Sequence, residues 1–129
     1  AVDGPAWVWS DALIHILCNF ARRGAATAKT RDWAGRWWSL WRTLDFVPMR
    51  DHVVASDPGL TIPFLDASEI AITKRDLGTI RHAPGLANFG EEARLVRGRN
   101  GHVREVWFGG TKFMRENNFA AELRRKYGD

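Results

Sequence analysis

The sequence predicts a mainly β fold, an antiparallel β-meander closing into a small barrel or half-barrel over residues 35–116, with a helix at each end. Three observations predict it. Short runs rich in aromatic and β-branched residues recur between 35 and 116, each followed by Gly, Pro, Asn or Asp. Two of the breaks, Asn100-Gly101 and Gly109-Gly110, are dipeptides that favour tight hairpin turns. Helical periodicity is confined to residues 5–23 and 119–127.

The first helix reads as 5–23. Asp3 or Gly4 can cap it, Pro5 suits its first turn, and Gly24 can end it. Asp11, His15, Asn19 and Arg22 form one narrow polar stripe. Trp7, Val8, Trp9, Leu13, Ile14, Ile16, Leu17 and Phe20 occupy the rest, so the helix expects burial on several sides. One small sheet covers one side only, which implies a second packing partner.

Residues 24–34 are small and polar and read as a linker, so the chain divides into 1–34 (apolar helix and linker) and 35–129 (barrel-like domain with its closing helix). Residues 37–47 read as one long strand ended by Pro48, with Met49, Arg50 and Asp51 turning into a second strand at 52–56. Residues 57–66 form a loop with two prolines. Strands follow at 68–73, 79–83, 92–98, 102–109 and 111–115, making seven. Asn118 then caps a helix at 119–127 that aligns Phe119, Leu123 and Tyr127.

Composition limits the function classes. A chain of 129 residues, 45% hydrophobic and 26% charged, suits a globular domain. The net charge of +4 is too mild, and its basic residues too dispersed, to argue for nucleic acid as a partner. The single cysteine, Cys18, excludes an intrachain disulfide and points to a reducing, cytoplasmic setting. It reads as a small buried hydrophobe rather than a nucleophile. The apolar stretch 12–21 carries His15 and Asn19 and is too short to span a bilayer. The chain begins at Ala1 rather than Met, as a processed product or a fragment would.

No nucleophile-and-base motif is present, and no cofactor or metal is implied. His52, His82 and His102 fall at strand ends and are the candidate acid–base groups if they converge, but none has metal-ligand spacing to another. Carboxylate pairs such as Glu91/Glu92 and Asp45/Asp51 read as solvated charge. The cluster Trp33, Trp37, Trp38 and Trp41 is the most unusual feature of a chain with seven tryptophans. On a single strand, Trp37 and Trp41 share one face, and Trp38 and Leu40 the other. Core packing accounts for it; an aromatic-lined pocket for a small apolar ligand is the functional alternative, and base stacking on a nucleic acid beside Arg36, Arg42 and Arg104 ranks third, because no ribonucleoprotein-type motif is present. Trp38, Leu40, Leu44, Ile70, Ile72, Val106 and Phe108 would line that pocket.

Two resemblances follow from these residues. Gly35-Arg36-Trp37-Trp38, opening a meander that ends in a helix, resembles the G-x-W start of lipocalin-type barrels. That family implies eight strands around an interior ligand cavity. The runs 35–48, 57–72 and 85–113, closed by 120–128, resemble the small C-terminal β-domain of bacterial β-lactamase-related serine hydrolases. In that setting helix 5–23 resembles the last helix of the hydrolase domain. The family's S-x-x-K motif is missing, and the only tyrosine, Tyr127, lies in the tail. The resemblance therefore implies an accessory domain without the catalytic residues. The leading expectation is a non-catalytic interaction domain that meets a protein partner, or itself, through Trp7, Trp9, Leu13, Ile16, Leu17 and Phe20. A carrier of a small hydrophobic ligand and a small acid–base enzyme are the alternatives.

Overall fold

The computed structural model describes residues 6–60, 66–84 and 87–128; the side chains of residues 6–9 and of Ala12 are not described. The roles expected of Asp3, Gly4 and Pro5 therefore lie outside the described residues, as do the side chains of Trp7, Val8 and Trp9. A helix, α1 (Ala6–Arg23), is followed by a 3₁₀ turn (Arg31–Trp33) and eight strands. These are β1 (Gly35–Trp38), β2 (Thr43–Met49), β3 (His52–Ser56), β4 (Ser68–Lys74), β5 (Leu77–His82), β6 (Glu92–Arg97), β7 (Val103–Phe108) and β8 (Thr111–Met114). Helix α2 (Glu116–Tyr127) closes the chain. Each strand pairs antiparallel with the next, and β8 pairs back to β1, so the meander is a closed barrel.

The count of eight corrects the expected seven. The aromatic run 37–47 is two strands, not one, with Trp37 opposite Leu44 and Trp38 opposite Thr43. Ser39 makes the break. Its backbone N–H donates to the Arg42 carbonyl at 3.0 Å, and its hydroxyl donates to the same carbonyl at 2.8 Å. The hydroxyl also accepts from the N–H groups of Trp41 and Arg42. A serine side chain competing for backbone groups in this way builds a turn inside an apolar stretch. The turn reverses the pleat, so Trp37 is buried while Trp41 is 86% exposed.

Pro48 does not end the second strand. It pairs with Val53, and β2 continues to Met49. The β1 ladder stops at Phe46, so Pro48 lies beyond it, where a missing N–H breaks no bond to β1. Asn118 does not cap α2, which begins two residues earlier with Arg115 as its flanking residue.

Alternate residues fill the barrel, as a period of two requires. Trp33, Trp37, Phe46, Ile70, Ile80, Val106, Phe108 and Phe113 are buried in it. A line of rings runs through the core, with centroids 6.3 Å apart for Trp33–Phe46, 5.9 Å for Phe46–Phe108 and 6.5 Å for Phe108–Phe113. Trp33, from the segment read as a linker, caps this line, and its indole N–H donates to the Arg75 carbonyl at 3.0 Å. The same segment is strapped to the β2–β3 turn. The Thr30 hydroxyl donates to the Arg50 carbonyl at 2.7 Å, and Arg50 N–H donates to the Ala25 carbonyl. The strand turns alternate between the two ends. Turns 39–42 and 109–110 lie at one end, and turns 50–51, 75–76 and 98–102 at the other. Gly109 and Gly110 both hold positive φ (56° and 73°), which the tight β7–β8 reversal demands.

Candidate functional site

The feature that sets this molecule apart is the way α1 lies on the barrel. Three residues of its polar stripe, His15, Asn19 and Arg22, border the barrel. His15, Asn19, Arg22 and Arg23 share a cleft of about 230 Å³ with Val54, Ala67, Ser68, Glu69 and His82 of the barrel wall. Asn19 Nδ2 donates to the His15 carbonyl at 3.1 Å, and Arg22 donates to Asn19 Oδ1 at 2.8 Å. Arg23 reaches across to Glu69 at 2.8 Å. Of its described apolar side chains, Leu13, Ile14, Leu17 and Phe20 are each between 45% and 58% exposed. Ile16, expected beside them, is half-buried. Among the described residues, it is polar side chains of α1 that line this cleft with the barrel.

Cys18 is exposed, against the expectation of burial, because it lies on the flank of this outward face beside Ile14 and Leu17. Among the described residues no helix is long and apolar enough to cross a membrane.

The three candidate histidines separate into two places. His52 and His82 flank Glu69 from neighbouring strands. His52 Nε2 lies 3.7 Å from the Glu69 carboxylate, and His82 is its β4–β5 partner. His102 sits in the β6–β7 turn and lines other clefts, where its backbone N–H donates to Asn100 Oδ1 at 3.1 Å. Among the described residues no cluster of three His, Cys, Asp or Glu side chains could hold a metal ion. His15, from α1, joins the Glu69 cleft; its place on the polar stripe was the signal in the sequence.

The expected ligand-lining residues also divide. Leu44, Ile70, Ile72, Val106 and Phe108 are at most 4% exposed and fill the interior that a carrier would keep open. Trp38 is half-buried and Leu40 is 62% exposed, both outside the barrel, because the Ser39 turn moves them out of phase with Leu44. Leu40 and Trp41 border an outer groove of about 310 Å³ with Trp107, Met114 and Phe119. Lys112 and Lys126 both bond Glu122 at its rim, at 2.9 and 3.1 Å, and hold that carboxyl below the usual carboxylate range.

Asp32 anchors the opposite end of the barrel. It accepts from Arg97 at 2.7 Å and from Arg75 at 3.1 Å, and these two guanidiniums lower its pKa. Nothing in the pattern of hydrophobic residues signalled this cluster, because its members are scattered over three turns. Compared with known proteins, the chain matches no family model and no curated relative.

Proposed function

We propose that this chain is a non-catalytic interaction domain that docks through the outward apolar face of α1. One observation carries the reading: Leu13, Ile14, Leu17 and Phe20 stand exposed on a helix whose polar residues His15, Asn19 and Arg22 border its own barrel. Solvation of such a face is unfavourable, at roughly 25 cal/mol per Å² of apolar surface, and a partner surface relieves it. The spacing of Leu13, Leu17 and Phe20, four residues then three, suits insertion into a groove or against another helix. The resemblance to the C-terminal β-domain of serine hydrolases supports a folded neighbour of that kind as the partner, with a second copy of the chain taking its place when the chain is alone.

Light scattering on the purified chain, with Leu17→Gln and the double variant Leu13→Gln/Leu17→Gln, tests this. The expected result is concentration-dependent association that both variants reverse. A chain that stays monomeric at millimolar concentration, with variants no different in solubility, overturns it.

A second reading, an apolar-ligand binder, is favoured by one observation only. The outer groove beside Trp41 and Trp107 is lined by aromatic side chains, whereas the interior is packed. Quenching or shift of tryptophan emission by a fatty acid, lost in Trp41→Ala, would support it; unchanged emission would remove it.

A further inference from the structure

We infer that the barrel end formed by turns 75–76 and 98–102 is a binding site for a small multivalent oxyanion, one bearing at least two phosphate or carboxylate groups. The inference stands on charge and geometry at this end and does not depend on α1.

An open cleft of about 750 Å³ lies there, between the 3₁₀ turn and the β6–β7 hairpin. Its charged walls are Arg31, Arg75, Arg97 and Arg115 and a single carboxylate, Asp32; His102 lines the cleft beside them. Two of the four guanidiniums are paired with carboxylates. Arg97 forks onto Asp76 through Nε and a terminal nitrogen, at 2.9 and 2.7 Å. It also reaches Asp32 at 2.7 Å and the Gly101 carbonyl at 2.9 Å. Arg75 donates to the same Asp32 oxygen, Oδ2, at 3.1 Å. Two guanidiniums thus balance two carboxylates, Asp32 and Asp76, and the cluster offers little repulsion to an incoming anion.

Arg31 and Arg115 are different. Neither has a carboxylate partner among the described residues. Arg115 is half-buried, lies over the Trp37 ring and donates to the carbonyls of Ala34 and Arg36 at 2.8 and 3.3 Å. Those carbonyls satisfy hydrogens but cancel no charge. A partly desolvated cation without a counter-charge attracts an anion more strongly than one in open water. Its seat is built in: Gly35 has φ +107°, and a Cβ there would meet an Arg115 terminal nitrogen at 2.5 Å. Only glycine both adopts that backbone and leaves the guanidinium its place.

Guanidinium forks match planar or tetrahedral oxyanions by paired N–H donation, which sets the ligand class. Two uncompensated cations beside His102 set the charge at two or more. Phosphate and carboxylate sources share this chemistry, so both are tested.

The experiment titrates the full chain with sodium pyrophosphate, with citrate and with sulfate, at about 0.15 M salt to screen surface attraction. Binding is read as heat and as shifts of the amide signals of residues 97–103. The expected result is saturable one-to-one binding of pyrophosphate or citrate, with the tighter of the two naming the source. Arg31→Gln should weaken it about tenfold, the worth of one charge-assisted contact, because Arg31 is exposed and its side chain supports nothing in the fold. Arg81→Gln removes one charge from the other end of β5 and should change nothing. Equal losses in both variants, sulfate binding as tightly as pyrophosphate, or no saturable binding overturns the site.

Discussion

The Arg115 guanidinium lies 3.7 Å from the centre of the Trp37 indole ring, at the place where the barrel closes. The β1–β8 ladder that makes the closure is short, with Trp38 opposite Met114 as its aligned pair. Arg115 follows directly after β8 and clamps the start of β1 with two hydrogen bonds and a stacked cation. Burial pulls its pKa below the ordinary guanidinium value, so the clamp works on a partly desolvated charge. Cation–π and hydrogen-bond contributions of this kind sum to about 3 kcal/mol. Arg115→Ala should lose that much in urea unfolding, and amide exchange should rise first at Trp38 and Met114. Arg115→Lys should restore only part, because an ammonium cannot stack and fork at once.

The Ser39 turn makes two tryptophans four residues apart behave oppositely. Trp37→Ala should cost about 3–5 kcal/mol, the usual loss for a buried aromatic side chain. Trp41→Ala should stay within about 0.5 kcal/mol, as at an exposed site. Denaturant melts of the two variants check this. Equal losses would restore the single long strand.

That contrast shows where sequence reading succeeds and where it stops. The later hairpins were legible because Asn100-Gly101 and Gly109-Gly110 announce their turns, and Ile70 and Ile72 alternate cleanly. In residues 37–47 every position is compatible with a strand, and the deciding event is a serine hydroxyl satisfying backbone groups locally. Period alone cannot register that, and a missed turn flips every later side chain to the other face. The apolarity of α1 was legible, but not its orientation on the barrel, which depends on Arg23 meeting Glu69 from a distant strand. The Asp32 cluster was invisible for the same reason: it joins residues 32, 75, 76 and 97, which only the closed barrel brings together.

Gly78 sits in β5 with no room for a side chain. A Cβ there would lie 2.6 Å from Ile70 Cγ2, 2.8 Å from Ile72 Cδ1 and 2.9 Å from the Ala71 carbonyl oxygen. The last is backbone and cannot swing aside. Gly78→Ala should destabilise by about 1–3 kcal/mol through overpacking, read as a lower urea midpoint. Ile72→Val in the same chain should recover part of it, because it removes the Cδ1 that crowds the new methyl group.

Asp32 makes stability depend on pH in a defined direction. Hydrogen bonds from Arg97 and then Arg75 hold its carboxyl below the ordinary 3.8. The unfolded chain therefore takes up a proton at a higher pH than the folded one. Its contribution is complete above the ordinary carboxylate range and is lost as pH falls through the lowered folded value. Unfolding free energies measured from neutral pH downward should fall faster for the parent than for Asp32→Asn in that acidic window. Parallel curves would show that Asp32 is uncoupled from folding.

Cys18 reports on the outward face of α1. An exposed thiol there should react readily with a maleimide in the native protein. Under conditions where the chain associates, the rate should drop, and Leu17→Gln should restore it. Labelling followed by mass spectrometry checks this, and a rate indifferent to association would place the contact elsewhere.

The polar seam between α1 and the barrel has a consequence for how the molecule comes apart. Among the described residues the seam is bridged by the Arg23–Glu69 ion pair, and water can replace it when the helix lifts away. Opening of α1 and unfolding of the barrel are then separate events on different energy scales. The helix amides should exchange through a shallow local fluctuation, while those of β4 to β7 wait for global unfolding. Such a chain has a rigid body and a releasable arm, and the arm can change its neighbour while the barrel stays closed.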